Sequence, residues 1–203
     1  MKLYLASYAM VTMKKILEHA GGNFLGRRAV FIPTAGDPYK NKDFVEADKI
    51  TLEQCGLKVT EMDIKDKNET EIQKIISDAS IILVAGGDTF YLMEKLKESG
   101  ADKAIKEFVE KGGIYVGSSA GSIVCCPTIE GAEEFDDPSL APKLENFDGM
   151  NIFNDIIIPH AHKEKYFERI KRATEKLGTK GYKVYPLTDD DVLFFDGESK
   201  KIL

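Results

Sequence analysis

Short apolar runs alternating with amphipathic stretches predict an α/β fold: a mostly parallel sheet flanked by helices, with a C-terminal hairpin. Three observations carry that expectation. Residues 80–85 (Ser-Ile-Ile-Leu-Val-Ala) form a continuous apolar run, the pattern of a central parallel strand covered on both faces. Ala104, Ile105, Phe108 and Val109 recur at helical spacing, and so do Tyr166, Ile170, Ala173 and Leu177. Glycines stand where such helices should stop, at Gly21-Gly22, Gly56, Gly100 and Gly112-Gly113.

In chain order, residues 2–7 read as a first strand and 12–19 as a helix ending at Gly21-Gly22. Residues 29–33 give the second strand, 43–54 the next helix, and 58–64 a more alternating strand suited to a sheet edge. Asn68 is placed to cap a helix reaching Asp78. After the 80–85 strand, Gly86-Gly87-Asp88-Thr89 turns into a helix bearing Phe90, Met93 and Leu96. A further helix precedes a buried strand at 114–116, and residues 120–126 form a short helix closed by Pro127. Residues 130–147 are acidic and aperiodic, with Pro138 and Pro142, and a segment of that kind is expected to cover a site. Residues 156–159 read as another buried strand, followed by the Tyr166–Leu177 helix. Residues 184–187, 192–195 and 200–203 supply a strand and the terminal hairpin. With no repeat and no interdomain linker, residues 1–203 are expected to form a single domain.

The bulk composition excludes several function classes. Apolar residues make up 43% and charged residues 31% of the chain, a soluble globular balance with a net charge of −6. No stretch is strongly basic, which argues against nucleic acid or an anionic membrane as partner. Cys55, Cys125 and Cys126 make a poor disulfide framework and show no metal-ligand spacing, so they read as reduced thiols of a cytoplasmic protein. The first seven residues are too short an apolar run for a signal sequence, and nothing approaches a transmembrane length.

Chemistry concentrates at Gly117-Ser118-Ser119-Ala120-Gly121, a G-x-S-x-G stretch between a strand and a helix. That context is what a nucleophile elbow requires, because the strained serine backbone needs small neighbours and the helix N-terminus favours developing negative charge. The bland reading is a glycine-serine turn without chemistry. A serine hydroxyl needs a base, and only His19, His160 and His162 are available. His19 suits a helix C-terminus. His160 directly follows the 156–159 strand, at the carboxyl edge where open α/β sheets gather their sites. His162 is the reserve. For the acid that orients the base, Glu130, Glu133, Glu134, Asp136 and Asp137 all lie after the short helix, and composition does not choose among them. One oxyanion donor is expected at the Ala120 N–H, and a second at Gly86-Gly87. The alternative for Gly86-Gly87, a phosphate cradle, lacks the Walker lysine and the dinucleotide spacing.

Four segments together resemble the peptidase E family of serine peptidases, which includes aspartyl dipeptidases and has cyanophycinases among its relatives. They are residues 26–36, Val84-Ala85-Gly86-Gly87-Asp88-Thr89-Phe90, residues 115–129, and residues 147–160 ending in Ile158-Pro159-His160. The resemblance implies a three-layer, flavodoxin-like fold akin to the class I glutamine amidotransferases. It places Ser119 on the nucleophile, His160 on the base, Gly87 and Ala120 on the oxyanion donors, and Glu134 on the acid, fifteen positions after the serine. Glutamate there departs from the family's aspartate, leaving Glu133 and Asp136 as alternatives. The family's specificity arginine has no counterpart here; Tyr166 lies nearest, with Lys163, Lys165 and Arg169 as substitutes. The expectation is therefore a cytoplasmic serine peptidase hydrolysing short peptides through an acyl-enzyme, a dipeptidase with N-terminal Asp-Xaa as one substrate class. No metal or organic cofactor is implied, and a homodimer is an allowed assembly. The rivals are an esterase of the α/β-hydrolase class and a non-catalytic binding or sensor protein on the same fold.

Overall fold

In the computed structural model, which describes all 203 residues, the apolar runs become strands of one central sheet. The elements in order are β1 (Lys2–Ala6), α1 (Ala9–Ala20), β2 (Arg28–Ile32), α2 (Asp43–Gln54), β3 (Lys58–Glu61), α3 (Glu69–Ile76), β4 (Ile81–Val84), α4 (Thr89–Ser99), α5 (Ala101–Glu110), β5 (Ile114–Ser118) and α6 (Ala120–Ile123). The last third contributes β6 (Ile156–Ile158), α7 (Phe167–Thr179), β7 (Val184–Pro186), β8 (Val192–Phe195) and β9 (Lys200–Ile202). Seven strands form the main sheet in the order β3-β2-β4-β5-β1-β8-β9. β1 to β5 run parallel, while β8 and β9 enter antiparallel as the expected terminal hairpin.

Side chains alternate across this sheet and divide the core in two. Leu3, Leu5, Val30, Ile32, Ile82, Val84 and Tyr115 point to the larger cluster, which also takes the apolar faces of α4, α5 and α7. Tyr4, Ala6, Ala29, Phe31, Leu83 and Val116 point the other way, onto Met13 and Ile16 of α1 and Val45 and Leu52 of α2. β4 and β5 are buried at every residue, as the continuous apolar run predicts for a covered parallel strand. Asn68 caps α3 in a full capping box: its carboxamide oxygen accepts the Glu71 N–H, and the Glu71 carboxylate accepts the Asn68 N–H.

Three expectations change in detail. The Ile156–Ile158 strand does not join the main sheet; it pairs with β7 in a separate two-stranded parallel sheet. Tyr166 lies in a 3-10 turn before α7, whose buried stripe is Ile170, Ala173 and Leu177. The acidic 130–147 segment is folded into two 3-10 turns, Glu130–Glu134 and Pro138–Leu140. The first of these is pinned along α7 by Lys180–Glu130, Lys176–Glu133 and Arg172–Glu134 ion pairs.

Candidate active site

Parallel strands all end on one side of the sheet, and the side chains that matter collect there. Ser119 sits between β5 and α6 with φ 48° and ψ −107°, a conformation rare for a residue with a Cβ. Its neighbours explain how the chain makes so tight a turn. A Cβ on Gly117 would lie 2.5 Å from the Gly121 carbonyl oxygen, and one on Gly121 would lie 2.2 Å from that of Val84. Both glycines are thus fixed by backbone packed on backbone. The Ser119 N–H is spent on the Ala6 carbonyl at 3.0 Å, which ties the turn to the end of β1.

His160 arrives from the small sheet. It follows β6 with φ 62°, another left-handed position held by a non-glycine residue. Its Nε2 lies 3.2 Å from Ser119 Oγ. Its Nδ1 lies 2.5 Å from Asp189 Oδ1. A carboxylate only accepts, so the ring proton belongs on Nδ1, and Nε2 presents its lone pair to the serine hydroxyl. The β6–β7 ladder brings this acid into place. Ile158 pairs with Pro186, Leu187 N–H donates to the Ile158 carbonyl, and Ala161 N–H donates to that of Leu187. The chain then turns at residues 188–191, where Thr188 N–H and Oγ1–H both donate to Asp191 Oδ2 and leave Asp189 facing the imidazole.

Glu134, expected to orient the histidine, is corrected by this geometry. Its carboxylate is held by Arg172 at 2.6 and 3.1 Å on the surface, and its carbonyl accepts from Arg169. Glu133 is paired with Lys176. Asp136 faces the cleft, but its Oδ2 is taken by the Thr89 N–H and hydroxyl. Asp189 escaped sequence reasoning although the signal was visible, a Thr-Asp-Asp-Asp run immediately after a strand. Only the pairing of β6 with β7 singles out one of its three aspartates. The other histidines stand apart from the serine. His19 Nδ1 meets the Tyr4 hydroxyl, and His162 Nε2 approaches Asp189 Oδ2 at 3.6 Å.

The charges around His160 are tuned by burial and by donors. Burial is the main influence on His160 and holds its pKa below the ordinary imidazole value, against the opposing pull of Asp189. Burial also pushes the Asp189 carboxyl up, but hydrogen bonds from Ser7, His160 and Lys163 outweigh it and leave the group below the usual aspartate value. Two further carboxyls line the cleft with raised pKa values. Burial lifts Asp48 to about 7 and Asp136 to about 6, each partly offset by the groups that donate to it.

These groups border a cavity of about 400 Å³ walled by Tyr8, Tyr39, Phe44, Phe135 and Tyr166. Gly87 lies on its rim with φ 146°, and a Cβ there would fall 2.0 Å from the Ala35 carbonyl oxygen. The Gly87 N–H makes no backbone hydrogen bond, and Ala120, first residue of α6, has no helical acceptor for its own. A second hollow of about 500 Å³ opens at the opposite, amino edge of the sheet, near Lys2, Arg27 and Lys111, far from Ser119. No three His, Cys, Asp or Glu side chains converge to hold a metal.

The family model of peptidase family S51 matches residues 4–203. The chain belongs to peptidase family S51. An uncharacterized peptidase of Listeria innocua is 33% identical over 179 residues, covering 87% of this chain and 84% of the relative. Peptidase E of Shigella flexneri is 35% identical over 165 residues, 79% of this chain and 69% of the relative. Among solved structures, a peptidase E candidate from Listeria monocytogenes superposes with a TM-score of 0.90 at 31% identity, covering 100% of this chain and 97% of the other. Membership in S51 makes the chain a hydrolase of the serine peptidase class, on the α/β fold that the sequence pattern predicted. No helix is long and apolar enough to cross a membrane.

Proposed function

We propose that this S51 protein is a serine dipeptidase-like enzyme that hydrolyses short peptides through Ser119, His160 and Asp189. The observation that carries the reading is the continuous line from Ser119 Oγ to His160 Nε2 (3.2 Å) and from His160 Nδ1 to Asp189 Oδ1 (2.5 Å) beside a walled cavity. In this reading the turn at Ser119 is a nucleophile elbow. His160 takes the Ser119 proton as the oxygen attacks the peptide carbonyl, and Asp189 stabilises the imidazolium that forms. The N–H groups of Gly87 and Ala120 receive the oxyanion, each lowering the barrier by roughly 3 kcal/mol. His160 then hands the proton to the leaving amine, leaving Ser119 acylated. Water, deprotonated by the same imidazole, releases the acid and restores the serine.

The cavity's chemistry supports a substrate with a free amino terminus. Asp136 Oδ2 is occupied by Thr89, while Oδ1 has no protein partner and is available to an ammonium group. An aspartate preference does not carry over. Arg169 and Arg172 are turned onto Glu134, Lys165 lies over the Tyr166 ring, and Lys163, the one basic side chain other than His160 at the cavity, is paired with Asp189. Three free thiols, two buried side by side, suit a reducing compartment, and the reading places the enzyme in the cytoplasm.

The test is amine release from dipeptides varied at the first residue, with Ser119→Ala measured beside the unaltered protein. Peptides with neutral first residues are expected to turn over faster than Asp-Xaa, and Ser119→Ala to abolish turnover. Turnover that survives in Ser119→Ala, or no turnover of any short peptide, refutes the reading.

A further inference from the structure

We propose that Ser7 is a positioning residue for hydrolysis, one hydroxyl that locks the base and its acid to each other. The inference rests on the serine peptidase reading above. Ser7 follows the last residue of β1 and is completely buried. Its Oγ accepts the backbone N–H of His160 at 2.8 Å and donates to Asp189 Oδ1 at 2.7 Å. The polarity is forced. A carboxylate cannot donate, so the single hydroxyl proton goes to Asp189 and a lone pair is left for the His160 N–H. The same Oδ1 accepts His160 Nδ1–H at 2.5 Å. Ser7, the His160 backbone, the His160 ring and Asp189 therefore close into one loop of hydrogen bonds.

Both groups in that loop need an anchor. His160 holds φ 62° although it carries a Cβ, and its N–H would lose its partner without the Ser7 oxygen. Asp189 lies in a turn outside any helix or strand. Its second oxygen, Oδ2, is drawn away from Nδ1 by Lys163 at 3.1 Å and by His162 at 3.6 Å. Ser7 opposes that pull on the oxygen that faces the imidazole. Packing alone does not call for this chemistry: alanine would fill the end of a covered strand as well. The Ser7 hydroxyl makes no hydrogen bond to Ser119; its partners are His160 and Asp189.

Ser7→Ala separates positioning from bulk stability. The expected result is a fall in kcat of about 10- to 100-fold with KM nearly unchanged, since the reacting pair is loosened and the cavity is not. The Ser7 hydroxyl holds Oδ1 against the ring on which the imidazolium forms. Its loss leaves the carboxylate less well placed to stabilise that charge, so the acidic limb of kcat/KM and the His160 ring titration seen by NMR both move to lower pH. A second readout needs no peptide. Diisopropyl fluorophosphate labels an activated serine, and its rate on Ser119 is expected to fall in parallel with kcat. Activity lost only in proportion to unfolding, or a His160 midpoint that stays put or rises, overturns the proposal. If the unaltered protein cleaves no short peptide, the hydrolytic reading fails, while the labelling rate and the NMR titration still decide the role of Ser7.

Discussion

Replacing Asp189 by asparagine tests the arrangement of the site most directly. The carboxylate lies 2.5 Å from His160 Nδ1, and the two side chains are only 18% and 24% exposed. Water therefore replaces little of what is lost when the carboxylate charge goes. Leaving one partner of such a desolvated pair without its counter-charge costs about 3–5 kcal/mol. That cost falls on the imidazolium, which forms only during reaction, so it appears in kcat as a loss between about 10² and 10⁴. Neither orientation of the asparagine amide repairs the site. With its oxygen toward Nδ1, its NH2 group faces the Lys163 ammonium; reversed, its N–H faces Nδ1 and favours the tautomer with the proton on Nε2, which cannot accept from Ser119. Glu134→Gln is the matched control. It removes an ion pair with Arg172, whose side chain is 56% exposed, worth at most about 1 kcal/mol of stability, and leaves kcat within about twofold. The assay is kcat and KM on the best dipeptide of the panel, with thermal unfolding of each variant to exclude misfolding. Asp189→Asn retaining kcat within about fivefold, or Glu134→Gln falling as far as Asp189→Asn, refutes the assignment of the acid.

Two further outcomes follow from the buried groups. Because burial lowers the His160 pKa, the imidazole stays neutral, and competent as base, to a lower pH than usual, so the acidic limb of Ser119 labelling by diisopropyl fluorophosphate should have its midpoint below about 6.5. Dipeptide hydrolysis should fall more steeply on that side, since protonation of Asp136 near pH 6 also removes the ammonium partner; identical limbs in the two assays would argue against that role. Asp48, only 1% exposed, accepts the Met10 N–H at the start of α1, and burial raises its pKa from 3.8 to about 7. Between those values the folded state binds a proton the unfolded chain does not, so the group's contribution to stability declines as pH rises from about 4 to 7. At about 1.36 kcal/mol per pH unit the decline reaches roughly 4 kcal/mol at most. Asp48→Asn keeps the acceptor for Met10 and should match the unaltered protein in urea unfolding at pH 4 yet exceed it at pH 8; a difference independent of pH would contradict this account.

Much of this molecule is written locally in its sequence. Strand and helix patterns announce themselves because one face of each element must be buried, and the required period is short. The turn at Ser119 is legible for the same reason. Its geometry demands small residues at Gly117 and Gly121, where a Cβ would strike backbone atoms, and those demands fall on immediate neighbours. His160 could be proposed from its place at the end of an apolar run. The acid could not. Orienting an imidazole requires only a carboxylate oxygen at one point in space, and any segment that reaches that point serves. The acids at 130–137 were equally eligible by sequence until Glu130, Glu133 and Glu134 proved to be paired along α7. Pairing of β6 with β7, and the turn that follows, selected Asp189 instead. Ser7 is a further case of the same kind, since its hydroxyl takes on meaning only when the end of β1 meets residues 153 and 182 positions away. Local patterns in the chain are enough for the layered α/β architecture, the strained serine turn and the strand-end histidine, because each is enforced by steric or burial rules acting over a few residues. Which carboxylate and which hydroxyl lie against His160 follows only from the folded chain, because hydrogen bonding between distant segments is set by strand register and leaves no periodic trace in the sequence.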